Sequence, residues 1–134
     1  MKRLIVFLPA LWLSASACAG TVIYTDSTHP VSVNHPDIPV VYLDAPERLQ
    51  ASIFGTLPAN AALAERQARD VLSHPEFIAQ QQQLAGAYQG LMKAWSLGLT
   101  KYPAVVFDDK WVVYGTTDVS MAMEYMATLK GANQ

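Results

Sequence analysis

Between Asp26 and Asp37 the chain reads DSTHPVSVNHPD, which gathers two histidines and two aspartates and sets a serine close to the first histidine. Two chemistries use these residue types. A serine activated by a histidine can attack a carbonyl, and histidines with carboxylates can hold a divalent metal. The spacing favours neither. Ser27 and His29 are too near along the chain to face each other as nucleophile and base. His29, His35, Asp26 and Asp37 match no compact ligand motif, and His74 stands far off ahead of a helix. Asp108-Asp109 could be read as paired carboxylates, but two aspartates between short β-rich runs are turn chemistry. The expectation is therefore no catalytic residue, no metal and no cofactor.

The cysteine count narrows the chemistry further. Cys18 is the single cysteine, and it stands in MKRLIVFLPALWLSASACAG. Lys2 and Arg3, the apolar run Leu4 to Leu13 and the small residues after it have the layout of a secretory signal peptide, too short to span a bilayer. Ala17 and Ala19 set an A-x-A cut after Ala19. The chain then divides into a signal peptide, 1–19, and a single domain, 20–134. A lipoprotein cut ahead of Cys18 is the rival reading. The usual leucine three places before the cysteine is missing, and a strand begins almost at once. An exported domain without cysteine has no disulfide and no thiol exchange. Nine basic residues against eleven acidic, with Lys2 and Arg3 removed, leave no electrostatic footprint for nucleic acid. No second apolar run is long enough for stable membrane insertion after cleavage.

The remaining elements must position whatever the Asp26 stretch does. TVIYT (21–25) and VVYLD (40–44) read as strands, the second apolar almost throughout, as strands covered on both faces are. DAPERLQASIF predicts a short helix with Asp44 as cap, Pro46 in its first turn and Gly55 at its end. A helix over 58–72 turns Leu57, Ala61, Ala64, Ala68 and Val71 inward. Ser73 and Glu76 have capping-box spacing for a longer helix over 75–97, with Phe77, Leu84, Tyr88, Leu91 and Trp95 on one stripe and Gly98 as its stop. AVVF and WVVY form a hairpin about Asp108-Asp109. Thr117 or Asp118 caps a last helix whose Val119, Ala122, Met123 and Met126 face inward and which Gly131 closes. Most of the large aromatics are expected to be core or half-buried, with Tyr102 as the exception. Strands joined by helical crossovers argue for an α/β fold, a mixed sheet flanked by helices.

Proline cannot donate a ladder hydrogen bond and is confined to strand starts, edges and bulges, so Pro103 in KYPAVVF opens its strand. A strand-opening proline, a hairpin and a final helix make a C-terminal ββα unit that looks like the thioredoxin-like fold. That resemblance implies a cis bond at Tyr102-Pro103. TVIYTDSTHPV, LGLTKYPAVVFDDKWVVYGTTDV and the glutamine- and alanine-rich helix between them resemble a family of small exported proteins of integrating conjugative elements, those carrying the domain of unknown function DUF1525. The resemblance implies a periplasmic, redox-inactive protein serving the type IV secretion (conjugative transfer) apparatus, with other proteins of that apparatus as partners. The place where disulfide-exchanging relatives carry C-x-x-C is occupied by Asp26, Ser27 and Thr28. With Tyr102 and Pro103 these are the candidate partner-binding residues. The rival reading is a periplasmic peptide-binding or chaperone module unrelated to conjugation.

Overall fold

The computed structural model describes residues 20–31 and 35–132; the expected signal peptide, its cut after Ala19 and Cys18 lie outside them. Four strands and four helices follow one another as β1 (Thr21–Thr25), β2 (Val40–Tyr42), α1 (Ala45–Phe54), α2 (Ala61–Ser73), α3 (Phe77–Ser96), β3 (Ala104–Phe107), β4 (Trp111–Tyr114) and α4 (Val119–Ala132). The strands form one mixed sheet in the order β2-β1-β3-β4. β1 runs parallel to β2 and antiparallel to β3, which pairs antiparallel with β4.

Strand side chains alternate between faces, and both faces here are apolar. Ile23 and Val105 lie beneath Val119 and Ala122 of α4, with Val113 beside them. On the other face Tyr24 and Val106 lie beneath Ala94 of α3, flanked by Val22 and Val112. Each fully buried valine or isoleucine contributes about 1.5–3 kcal/mol, so the short central strands carry much of the stability. α3 comes unusually close to β2 at Gly90, where an added Cβ would stand 2.8 Å from Val41 Cγ1. The segment that joins β1 to β2 is pinned to the start of α4 at both ends. Thr117 Oγ1 donates to the Pro30 carbonyl at 3.0 Å, and His35 Nε2 lies 3.0 Å from Ser120 Oγ.

The strand and helix order matches expectation, and so does the cis Tyr102-Pro103 bond. Asp108 and Asp109 both take a φ of 52°, the left-handed conformation that a tight hairpin demands. Gly55 and Gly98 sit just past α1 and α3 with positive φ. Asp118 caps α4, its carboxylate accepting from the Met121 N–H at 3.1 Å.

Several details differ. Asp44 makes no side-chain cap to α1, because its carboxylate is drawn to other partners. The capping box does not form: Ser73 ends α2 and donates to the Asp70 carbonyl, while Glu76 caps nothing. Asn60 caps α2 instead, accepting from the Ala62 and Leu63 N–H groups. α4 continues through Gly131, and Met123 is half exposed. Leu57, ahead of α2, and Ala61, at its start, stay in water while Ala64, Gln67, Ala68 and Val71 turn inward.

The aromatics lie farther out than expected at Trp95 and Tyr125, which are 68% and 58% exposed. Tyr24 alone among the tyrosines and tryptophans of the described residues is buried. Trp95 and Tyr88 leave the expected stripe, and Phe77, Gln80, Leu84, Ala87, Leu91 and Ala94 form the inner face of α3. The reason is steric: a helix this near the sheet admits only small side chains at its closest turn, and Gly90 and Ala94 occupy it.

Candidate functional site

β1 and β2 each end in an aspartate one residue or two beyond the strand, in the repeated pattern VIYTD and VVYLD. Because Thr25 pairs with Tyr42 in parallel register, Asp26 and Asp44 emerge side by side at the carboxyl ends of neighbouring strands. That is where open α/β sheets present their crevices. The antiparallel pairing of Tyr24 with Ala104 brings the segment before β3, Lys101 to Pro103, to the same end. Three separated stretches thus converge on one site.

Asp26 organises the turn that follows β1. Its Oδ1 accepts from the Thr28 N–H at 3.1 Å, the Thr28 hydroxyl at 2.8 Å and the His29 N–H at 3.0 Å. The His29 ring reaches the same oxygen through Nδ1 at 2.6 Å. An ionised carboxylate only accepts, so Nδ1 carries the proton and Nε2 of a neutral ring is left as an acceptor. The hydrogen bond from His29 is the main reason the Asp26 carboxyl is held below its usual value of 3.8, with Thr28 adding to it against partial burial.

Asp44 fastens this turn to the start of α1. Its Oδ2 accepts from the Ser27 hydroxyl at 2.5 Å, the Ser27 N–H at 3.2 Å and Arg48 Nε at 3.0 Å. Burial pushes the Asp44 carboxyl upward, but Ser27 and Arg48 together outweigh it and the net displacement is downward. Asp44 Oδ1 is shut off from solvent without a hydrogen-bond partner.

Tyr102 completes the site. Its ring meets the His29 ring edge-on, with centroids 6.1 Å apart and planes at 80°, and it is 51% exposed. Among the described residues no backbone hydrogen bond uses the Tyr102 N–H or carbonyl, whereas the Pro103 carbonyl is taken by the Gly115 N–H at 2.8 Å. Beside Tyr102 opens a cleft of about 400 Å³, walled by Asp26, Asp44 and Glu47 on one side and by Leu91, Trp95 and Tyr102 on the other. A second cleft of about 500 Å³ adjoins Asp26, Ser27, His29 and Tyr42 across the turn.

The predicted site residues Asp26, Ser27, Thr28, Tyr102 and Pro103 therefore lie together. Ser27 donates to Asp44 and not to His29, so a serine–histidine pair does not form. Among the described residues no three histidines, cysteines or acidic groups converge on a point. His74 borders a separate hollow between α2 and α3. Asp108 and Asp109 sit at the far hairpin, where Asp109 takes a 2.7 Å hydrogen bond from Lys93. Asp44, Glu47 and Trp95 were not legible as site residues. The repeated strand-then-aspartate pattern was the signal that could have found Asp44.

The family model for the protein of unknown function DUF1525 matches residues 18–131, which takes in every element from β1 into α4. The chain belongs to the DUF1525 family. It matches no curated protein and no solved structure. Among the described residues of this DUF1525 protein no helix is long and apolar enough to cross a membrane.

Proposed function

We propose that this DUF1525 protein is a non-catalytic, periplasmic, thioredoxin-like component of an integrating conjugative element. It would assist assembly or function of the type IV secretion apparatus by gripping an extended segment of another protein of that apparatus. The observation that carries this reading is the meeting of the Asp26–His29 turn with Tyr102 beside a cleft, at the place where a redox relative would hold its thiols. The strand order β2-β1-β3-β4, its one parallel pair and the proline that opens β3 support the thioredoxin-like comparison. One departure stands beside them: no helix lies between β1 and β2 among the described residues.

Chemistry gives the site a holding role. A hydroxyl cannot exchange disulfides, and the hydroxyls of Ser27 and Thr28 are both spent on carboxylates. The uncommitted peptide groups of Tyr102 can pair with a partner backbone, as main-chain augmentation does elsewhere. The Tyr102 and Trp95 rings supply rigid apolar area for its side chains.

The test is site-specific photo-crosslinking from position 102 in donor cells, with position 65 on exposed α2 as the control. Adducts from position 102 alone, containing a protein encoded by the transfer module of the same element, are expected. Equal adducts from both positions, or only partners unrelated to transfer, would refute the reading.

A further inference from the structure

Trp111 opens β4 opposite Phe107, at the end of the sheet remote from Tyr102. Phe107 pairs with Thr21 whereas the Tyr102 site stands beyond Thr25, a separation of about 13 Å at about 3.3 Å per residue. Trp111 is 46% exposed, and its ring has two cations near it: Lys110 Nζ is 5.4 Å and Lys130 Nζ 5.8 Å from its centroid. Attraction of an ammonium to an aromatic face leaves N–H donors of each ammonium free for other acceptors. The ring thus draws both charges to its face while N–H donors remain for a partner.

Between β4 and α4 at this point lies a cleft of about 320 Å³ floored by Phe107, Trp111, Met123 and Met126, with Lys130 and Asp108 at its mouth. Met123 and Met126, both predicted to face inward, line this cleft, and Met123 is half exposed. The ion pairs among the described residues are Asp26–His29, Asp44–Arg48, Glu65–Arg69 and Asp109–Lys93, and neither Lys110 nor Lys130 takes part in them. A cation in the last turn of α4 suits the helix dipole, which accounts for Lys130 being there but not for Lys110 reaching the same ring. With Asp108 as the lone carboxylate at the mouth, the rim is net positive on a chain whose formal charge is −2. Exposed tryptophan in a pocket ringed by polar groups is the anatomy of a binding hot spot.

We propose that the Trp111 cleft is a second docking surface, which takes an acidic segment of a partner protein. An apolar side chain enters between Trp111 and Met123, and flanking carboxylates bind Lys110 and Lys130. The surface shares no residue with the Tyr102 site, so the proposal stands independently of the function assigned there.

The experiment follows the Trp111 indole and Met123 methyl resonances of the exported chain during titration with acetyl-Glu-Leu-Glu-Asp-amide. Acetyl-Lys-Leu-Lys-Lys-amide and phosphatidylglycerol vesicles are run in parallel. Saturable shifts at Trp111 and Met123 with the acidic peptide alone are expected. The exposed double substitution Lys110→Glu, Lys130→Glu, with its amide spectrum otherwise unchanged, should weaken binding at least tenfold and reverse the preference between peptides. Any of four results would overturn the proposal: no saturable shift with the acidic peptide, equal response to the basic one, binding to vesicles without binding to peptide, or concentration-dependent shifts from self-association at Trp111.

Discussion

The Ser27 hydroxyl and the Ser27 N–H both donate to a single oxygen of Asp44, 17 residues along the chain. This double bond-pair ties the turn after β1 to the first turn of α1, and it is why Asp44 does not cap its own helix. Hydrogen bonds to a charged group contribute more than neutral ones, typically about 1.5–3 kcal/mol when shielded and less when exposed. Ser27→Ala should cost about 1 kcal/mol in urea unfolding. Asp44→Ala should cost about 2 kcal/mol, since it strips Ser27 and Arg48 at once. The double variant should cost less than the sum of the two, which a double-mutant cycle measures.

Gly90 and Val41 set the distance between α3 and the sheet. Alanine is the better helix former by about 1 kcal/mol, yet at position 90 its Cβ would meet Val41 Cγ1 at 2.8 Å. A stiff β-branched side chain cannot swing away. Overpacking of this kind costs about 1–3 kcal/mol, so Gly90→Ala should destabilise. Val41→Ala in the same chain should recover part of the loss, and thermal unfolding of the two single variants and the double one decides it.

Acid and alkaline unfolding should have different origins. Asp26 and Asp44 are held below 3.8 in the folded chain. Their contribution is present above that value and is lost as pH falls through their lower folded values. Lys93 is raised above 10.5, chiefly by its hydrogen bond to Asp109. Its contribution is complete below 10.5 and is lost as pH rises through the higher folded value. Burial raises Tyr24 above 10.0, with Asp109 adding and Lys93 opposing, so it acts on the alkaline side too. His29→Phe should blunt only the acid limb and move the Asp26 carboxyl back toward 3.8, as a carbon-detected titration would show.

What was legible in the sequence was what local chemistry decides. TVIYT, AVVF and WVVY have the β-branched composition of strands. Pro103 marks a strand start, and Asp108-Asp109 and Gly98 take up left-handed turns that few residues tolerate. The turn residues Asp26, Ser27 and Thr28 and the neighbouring Tyr102 could be grouped only through the resemblance, since strand pairing between 24 and 104 is a long-range fact. Asp44 was misread because a residue ahead of a helix has a ready local role as cap, and only the parallel register of β1 with β2 offers it Ser27. Trp95 was placed in the core because its spacing fits the apolar stripe of α3. The close approach at Gly90 rotates that stripe toward Leu91 and Ala94 and leaves the indole beside the cleft. Trp111 was grouped with the large aromatics expected to be core or half-buried. The alternation of β4 puts it on the covered face, but α4 does not close over the strand at that point.

The central claim is that the surface around Tyr102 holds a partner and performs no reaction. The most direct measurement is the transfer frequency of the element from donors carrying Tyr102→Ala, with the exported protein confirmed at normal level and folded. Tyr102 is half exposed, and losing its edge contact with His29 costs about 1 kcal/mol at most, so the variant should fold. Transfer is expected to fall at least tenfold, and a Tyr102→Phe donor should keep most of it because the ring remains. Transfer from the alanine donor equal to that of the unaltered protein would contradict the account.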